Sequence, residues 1–591
     1  MRNCVISDII KLYFWNVGDR IMRITKTGKN YYIIRSIMRD GKRSSEVVER
    51  LGTDEEIMCQ HNCTDAHAWA MQYLDKLNEQ ARNAKTKVLV PFEAKTLIPL
   101  NEQKSFNVGY LFLQQIYYDL YLPNICEHIS MKHGFQYDLN GILSRLVYGR
   151  ILYPSSKLSC RIQSAKLLEK PEFDVHQIYR ALSVLSEESD YIQSKLYEYS
   201  KKIIKRQTGV LFYDCTNYFF EIEEENGLKQ YGKSKEHRPN PIVQMGLFMD
   251  KSGIPLAFCI NKGNTNEQTT LVPLEKQLMH DFSLSQFVVC TDAGLSSESN
   301  RMFNNFGNRC FITTQSIKKL KKELKDWCLE STGWHLKDQS GTFDISKLEE
   351  NNETMDLIFY KERWVEGYDT NLDIEFNQSL IVTYSLKYKK YLQKVRKNQI
   401  DHALRAIKEG RTESRNQNDY RRFIKKTVCT DDGEIAKHQI YDIDENAVAE
   451  ETKYDGFYAV YTNLEDDASE IAKINHDRWE IEESFRIMKT EFKARPVYLQ
   501  RDDRIRAHFL TCFISLLIYR ILEKKLDDKY TCEQLIKTMK GMNVTDIREG
   551  YIPAYTRTEI TDALHTNAGF RTDYEIIRRR EMKGICRRSK E

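Results

Sequence analysis

Three acidic residues stand out by their surroundings. Asp214 ends the apolar run Val210–Tyr213, and Asp292 follows the apolar run Phe287–Thr291. Glu482 sits within Asn475-His-Asp-Arg-Trp-Glu-Ile-Glu-Glu-Ser-Phe-Arg-Ile-Met-Lys489. A carboxylate at the end of a buried strand is costly unless a cation or a hydrogen-bond donor compensates it. Taken singly, each aspartate is more readily a turn or cap residue. Taken with Glu482, the three supply oxygen donors of the kind that Mg²⁺ or Mn²⁺ binds.

The helix that must carry Glu482 also carries cations. At about 100° per residue, steps of four and eleven bring Glu482 and Lys489 back to about 40° and 20° from Arg478. One narrow stripe therefore holds all three, beside an apolar stripe of Ile481, Phe485, Met488 and Phe492. An acid flanked by two bases suits a metal bound next to a phosphodiester. The plainer account is an amphipathic helix with i,i+4 ion pairs. Glu483, the rival ligand, lies about 100° round the helix and off the basic stripe.

Further basic groups cluster near these acids. Tyr231-Gly-Lys-Ser-Lys-Glu-His-Arg-Pro-Asn-Pro241 places Lys233, Lys235, His237 and Arg238 just before a strand. It reads as a loop that grips DNA phosphates beside an acidic site, in preference to a solvated basic loop. Lys493 and Arg495 continue the basic line beyond Lys489. The run from Lys387 to Lys426 is strongly basic; its position between two parts of the site favours DNA contact over a solvated helical face.

Composition bounds these readings. The 591 residues, 41% hydrophobic and without low-complexity tracts, make a globular chain of about three or four domains. With 89 basic against 85 acidic residues, a nucleic-acid surface must be local. Fourteen scattered cysteines suit a reducing cytosol. Cys59, His61, Cys63 and His67 lack paired metal-ligand spacing and read as ordinary helix-start residues. No signal peptide is legible, the Ile9–Trp15 patch being too short. Phe509–Leu522, interrupted by Arg520, reads as a buried core helix rather than a membrane span. The expectation is a cytoplasmic protein without a membrane partner.

In chain order, residues 1–21 differ in style from the residues after them, which makes Met22 a candidate natural start. Tyr31–Arg39 and Glu46–Leu51 read as strands around an Asp40-Gly41 turn, and Thr64–Ala84 as a helix. Five helices are predicted over Tyr110–Leu122, Asn140–Tyr148, Ser156–Lys170, Val175–Leu185 and Tyr191–Lys205, broken by Pro123, Pro154 and Pro171. This region is either a scaffold or a DNA-binding element. Strands are predicted next at Val210–Tyr213, Val243–Met249, Gly253–Ile260, Phe287–Thr291 and Cys310–Thr314. Further strands surround Trp364, Ile374–Phe376, Leu380–Tyr384 and Gly456–Thr462, and Asp467–Lys493 is helical. The Arg-rich C-terminal residues read as a mobile, solvated end.

The ordered motifs resemble bacterial insertion-sequence transposases of the DDE type, in the IS-four-like superfamily. The similarity is greatest to its branch with a β-rich insertion before the catalytic glutamate, the IS-sixteen-thirty-four group. That family has a Tyr-x2-Arg-x3-Glu-x6-Lys signature, matched by Arg478, Glu482 and Lys489, with Asn475 at the tyrosine position. The loop Gly232–Pro239, the run Thr291-Asp-Ala-Gly294 and Arg495-Pro-Val-Tyr498 resemble group features as well. The resemblance implies an α/β fold: an RNase H-like mixed-sheet core, interrupted by a β-rich insertion, with N-terminal β-hairpin and helical regions. It divides the chain into an N-terminal β/α module (1–100), a helical region (101–206), the first part of the core (207–316), the insertion (317–449), the second part of the core (450–525) and a helical tail (526–591). It further implies that Asp214, Asp292 and Glu482 bind two Mg²⁺ or Mn²⁺ ions and catalyse DNA strand cleavage and strand transfer. Lys233, Lys235, His237, Arg238, Arg478, Lys489, Lys493 and Arg495 would contact DNA. Partners would be double-stranded DNA, as inverted-repeat ends and target, and a second copy of the chain on DNA. The setting would be bacterial cytoplasm at the nucleoid. A metal-dependent nuclease with the same core, or a non-catalytic DNA-binding descendant, are the alternatives.

Overall fold

The computed structural model describes residues 22–39, 42–86, 88, 90, 92, 95–170, 172–369, 372–413, 419–429 and 438–591. Residues 1–21, the Asp40-Gly41 turn and Pro171 lie outside the described residues. The chain forms two compact units, residues 1–102 and 103–591.

In the first unit β1 (Arg23–Thr27), β2 (Asn30–Arg39) and β3 (Lys42–Thr53) form an antiparallel sheet, followed by α1 (Asp54–His61) and α2 (Ala66–Thr86). A reciprocal cap starts α1: Glu56 N–H donates to Thr53 Oγ1 at 3.3 Å, and Thr53 N–H to the Glu56 carboxylate at 2.9 Å. His61 stacks on Trp69 with ring centroids 3.9 Å apart, and Cys63 Sγ donates to the Ile57 carbonyl. Both side chains serve local packing.

The second unit begins with β4 (Ser105–Asn107) and the helices α3 (Tyr110–Asp119), α4 (Leu122–His133), α5 (Leu139–Leu152), α6 (Lys157–Ser164), α7 (Val175–Glu187) and α8 (Ser189–Ile203). Pro123 does not separate elements as expected. It occupies the first turn of α4, where a missing N–H costs nothing. The expected helix over Ser156–Lys170 stops at Ser164.

Next come β5 (Val210–Phe219), β6 (Ile242–Asp250), β7 (Pro255–Lys262), α9 (Leu271–Asp281), β8 (Phe287–Thr291), α10 (Glu298–Phe303) and β9 (Arg309–Gln315). β7, β6 and β5 pair antiparallel, whereas β5, β8 and β9 run parallel. This mixed sheet with helical crossovers is the expected RNase H-like core.

The chain then adds α11 (Lys322–Leu329), β10 (Trp334–Leu336), β11 (Gln339–Phe343), α12 (Asn352–Met355), β12 (Phe359–Asp369), β13 (Ile374–Tyr384), α13 (Leu386–Lys408), β14 (Ile424–Cys429), β15 (His438–Ile443) and α14 (Glu445–Thr452). After these come β16 (Phe457–Thr462), α15 (Ala468–His476), α16 (Trp479–Thr490) and α17 (Asp502–Lys525). The β-rich insertion continues the core sheet through β16, which gives ten strands in the order β11-β10-β12-β13-β16-β9-β8-β5-β6-β7. Within the insertion, β14 and β15 pair as a separate two-stranded sheet.

Helix α17 is the spine of this unit. It is long and apolar enough to cross a membrane by length and composition, yet 94% of its most apolar window is buried inside the protein. It packs on α3, α5, α7, α16 and β7. The core helix read from Phe509–Leu522 is therefore observed. Arg520 within it is 3% exposed; it donates to the Gly253 carbonyl at 2.9 Å and pairs with Glu523 at 2.6 Å and with Glu480 of α16.

The unit ends with α18 (Cys532–Gly541), β17 (Asn543–Asp546), β18 (Gly550–Pro553), α19 (Glu559–Ala568), β19 (Ile577–Arg578) and α20 (Arg579–Arg588). The strands pair with β4 in the order β19-β18-β17-β4. The C-terminal residues differ from the expected mobile end: α20 buries Met582 and Ile585 while its arginines face outward.

Candidate functional site

Asp214 lies in the middle of β5 and not at a strand end as expected, because pairing with β6 continues through Asp214↔Leu247 to Phe219↔Ile242. Asp292 follows β8 directly. The parallel register Phe212↔Cys290, continued by two places, sets Asp214 beside Asp292 with both side chains on one face. Asp292 Oδ1 accepts from the Gly294 and Leu295 N–H groups at 3.0 and 3.1 Å. Asp214 Oδ1 accepts from the Cys215 N–H at 2.7 Å. Burial, and then the neighbouring Asp292, push the Asp214 carboxyl up to about 6, against the opposing pull of Lys235 and Arg478.

On the face that Asp214 shares with Thr216 and Tyr218 lies α16. Lys489 Nζ donates to Thr216 Oγ1 at 2.6 Å and stands 5.6 Å from the Tyr218 ring centroid. The Tyr218 hydroxyl meets Met488 Sδ at 3.8 Å. The apolar stripe expected on this helix is buried, with Ile481, Phe485, Met488 and Phe492 each at most 5% exposed. Burial first, and Lys235 second, lower the Lys489 ammonium to about 8.

Arg478 is the N-cap of α16, between α15 and α16, so the expected helical stretch is two helices. Its guanidinium lies 3.3 Å from Glu482. Asp214, Glu482 and Asp292 all raise its pKa, so one cation feels all three acids. The Glu482 side chain is 61% exposed. Among the described residues, the set of His, Cys, Asp or Glu donors that all come within 4.8 Å of one another is His133, Glu187 and Glu188, in the helical region. The three acids are not drawn together that tightly. Their chemistry nevertheless fits a divalent cation: two adjacent carboxylates, one of them with a pKa raised by burial, and a third on the neighbouring helix, linked to them through Arg478.

The basic loop reaches the site through a residue that sequence reading missed. Asn217 of β5, 2% exposed, donates to the Lys233 carbonyl at 3.1 Å and accepts the Lys235 N–H at 3.3 Å. Lys235 folds inward, where its ammonium donates to the Cys215 carbonyl and lies 3.6 Å from Glu267. Lys233 and His237 are exposed. Arg238 stands 4.1 Å from the Phe219 ring centroid and 3.6 Å from Glu236, which also pairs with Arg495. Lys493 is exposed, and its carbonyl accepts from Arg150. The loop thus brings its backbone and Lys235 to the acids, while Arg238 and Arg495 are held by Glu236.

Asn475 has a clear structural role. It is 3% exposed, donates from Nδ2 to the Tyr458 hydroxyl at 2.7 Å and accepts from Cys290 Sγ at 3.3 Å. The Tyr458 hydroxyl also bonds Thr314 Oγ1 at 2.7 Å, and Tyr458 raises the Arg478 pKa. Four basic residues of α13 pair with acids: Lys387 with Asp356, Lys389 and Lys390 with Glu350, and Arg396 with Asp455.

Residues 366–518 match the family model described as the transposase DDE domain. The resemblance to DDE transposases is borne out. The match runs from the end of β12 into α17 and includes Glu482; Asp214 and Asp292 precede it. It does not single out a branch. A structure described as "piggyBac transposase synaptic complex with hairpin DNA" is similar at a TM-score of 0.34 and 9% identity, covering 81% of this chain and 84% of that chain. No curated protein matches the chain.

Proposed function

We propose that this DDE transposase relative binds the ends of an insertion sequence and carries out DNA strand cleavage and strand transfer. The observation that carries the reading is the pairing of Asp214 with Asp292 on one sheet face, under the helix that bears Arg478, Glu482 and Lys489. Asp214, Asp292 and Glu482 would hold two Mg²⁺ or Mn²⁺ ions, which supply Lewis acidity for in-line displacement at phosphorus. Arg478 and Lys489 hold the scissile phosphate against the acids, and Lys235 offsets the charge of Asp214 until DNA arrives. Lys233, His237, Arg238, Lys493 and Arg495 form the surrounding phosphate-binding surface. Arg238 and Arg495 must exchange Glu236 for DNA. The six-part domain division, a dimer on DNA and a place in the bacterial cytoplasm at the nucleoid belong to the same reading.

The test is cleavage and joining of labelled DNA bearing the flanking inverted repeats, with Mg²⁺ or Mn²⁺. Asp214→Asn, Asp292→Asn and Glu482→Gln should each lower both steps by about 10²–10³-fold or more while DNA binding persists. Full activity in Glu482→Gln would sink the assignment of the third acid. Cleavage without joining would favour a nuclease, and binding without either step a non-catalytic descendant.

A further inference from the structure

Two helix ends in the helical region bring a second group of metal-ligating side chains together. α4 closes with Lys132 and His133, and Gly134, at a φ of 68°, donates its N–H to the Ser130 carbonyl at 2.9 Å. α7 ends at Glu187, and Glu188 alone joins it to α8. The Glu188 N–H donates to the Val184 carbonyl at 3.0 Å, and its carbonyl accepts the Ile192 N–H at 2.9 Å. Backbone hydrogen bonds on both sides therefore fix where these side chains start. One donor atom each from His133, Glu187 and Glu188 comes within 4.8 Å of the other two.

The spot already attracts a cation. Glu188 is 4% exposed, and its Oε1 meets His133 Nε2 at 2.8 Å and Lys132 Nζ at 2.6 Å. A carboxylate so deeply buried needs compensation. Lys132 supplies it from a side chain that is itself 57% exposed, so its ammonium can swing out to water at little cost. Glu187, next in sequence, is exposed and stands on the same side.

We propose that Zn²⁺ displaces Lys132 here and binds neutral His133 through Nε2, together with Glu187 and Glu188, with water in the fourth position. Zinc about 2.0–2.1 Å from each ligand sets tetrahedral donor atoms about 3.3 Å apart. The His133–Glu188 distance lies below that span and the 4.8 Å limit above it, so side-chain shifts of about 1–1.5 Å close the site on a fixed backbone. The imidazole favours zinc over Mg²⁺, which prefers oxygen donors alone. The ion ties the end of α4 to the α7–α8 joint. His133 also lines a surface groove with Phe135, Tyr137, Gln177 and Arg180, so the same tie fixes one wall of that groove.

Zinc titration of the full chain against a colorimetric chelator, with excess Mg²⁺ to occupy Asp214, Asp292 and Glu482, tests the proposal. Glu187→Gln, a surface change, and His133→Ala should each weaken the site at least about tenfold. Lys132→Met removes the competing ammonium and should tighten zinc binding about two- to fivefold, the worth of an exposed ion pair. Wild-type crystals grown with zinc should show an anomalous peak between His133 and the two glutamates, a readout that stands even where a variant fails to fold. Unchanged affinity in Glu187→Gln or His133→Ala, unchanged or weaker binding in Lys132→Met, or an anomalous peak only elsewhere would each overturn it and leave a plain ion pair.

Discussion

At the scale of single residues, position 475 shows how a motif can change while its geometry holds. The signature would place a tyrosine there, but Asn475 is buried and uses both ends of its amide, on Tyr458 and Cys290. Its Nδ2 meets a tyrosine hydroxyl from the sheet, that of Tyr458 on β16. Writing the signature residue back should therefore harm the protein. Asn475→Tyr inserts a ring into a filled core, and destabilisation of about 1–3 kcal/mol is expected from the denaturant midpoint. Tyr458→Phe removes bonds to Asn475 and Thr314 and should cost about 1–3 kcal/mol in the same assay, since it strands the buried Asn475 amide. Asn475→Tyr as stable as wild type would mean that Tyr458 and Asn475 do not share one packed site.

At the scale of elements, the strands and helix α16 were legible because their signals are local. Phe287–Thr291 is apolar throughout and appears as the strand expected, and the stripe of Ile481, Phe485, Met488 and Phe492 did mark a buried face. Asp214 was misplaced for the opposite reason. What keeps β5 going past it is pairing with β6, a partner chosen by topology and not by the residues near Asp214. Asn217 and Tyr458 escaped notice for the same cause, since each matters only through contacts distant in sequence. In the basic run at Lys387–Lys426, periodicity reports an exposed face but not the acids that lie across from it: Glu350, Asp356 and Asp455 pair with Lys389 and Lys390, Lys387 and Arg396.

Two elements carry predictions of their own. Arg520 ties α17 to α16 through Glu480, so Arg520→Leu takes the cation from the half-buried Glu480 and Glu523 and should cost about 1–3 kcal/mol by denaturant unfolding. On α9, Glu275 is fully buried and accepts from Asn304 Nδ2 at 2.9 Å; burial pushes its carboxyl up from 4.5 to about 7. The folded chain therefore keeps a proton that the unfolded chain releases, and the group's stabilising effect falls away as pH rises through 4.5–7. Glu275→Gln keeps the acceptor and removes the titration. Its Tm should match wild type near pH 4.5 and exceed it at pH 8, by on the order of 2–3 kcal/mol of stability. Parallel Tm profiles for the two proteins would contradict this assignment.

At the scale of the whole molecule, the second unit is closed by its own two ends. Asn107 Nδ2 donates to the carbonyls of Met539, Lys540 and Met542 at 2.9, 3.2 and 3.2 Å, while β4 pairs with β17. Asn107→Ala should cost about 1–2 kcal/mol, read from the denaturant midpoint, because the buried amide's bonds to the end of α18 are lost while Met539 and Met542 keep backbone donors. Residues 103–591 made without the first unit should unfold at the Tm of the second unit in the full chain, as followed by calorimetry, since each unit has its own core.

That closure also sets an order in time. Strand β4 emerges early from the ribosome, yet its partner leaves the exit tunnel only after the intervening stretch, with Asn107 and Met539 separated by 432 positions, has been translated. Until then β4 has an open edge, and Asn107 has no end of α18 to hold. A message broken by a stop codon or frameshift between Asp292 and β17 would yield a chain that contains both aspartates but never latches. Such a product would go to the proteases, so an unbroken reading frame is itself a condition for assembling the site.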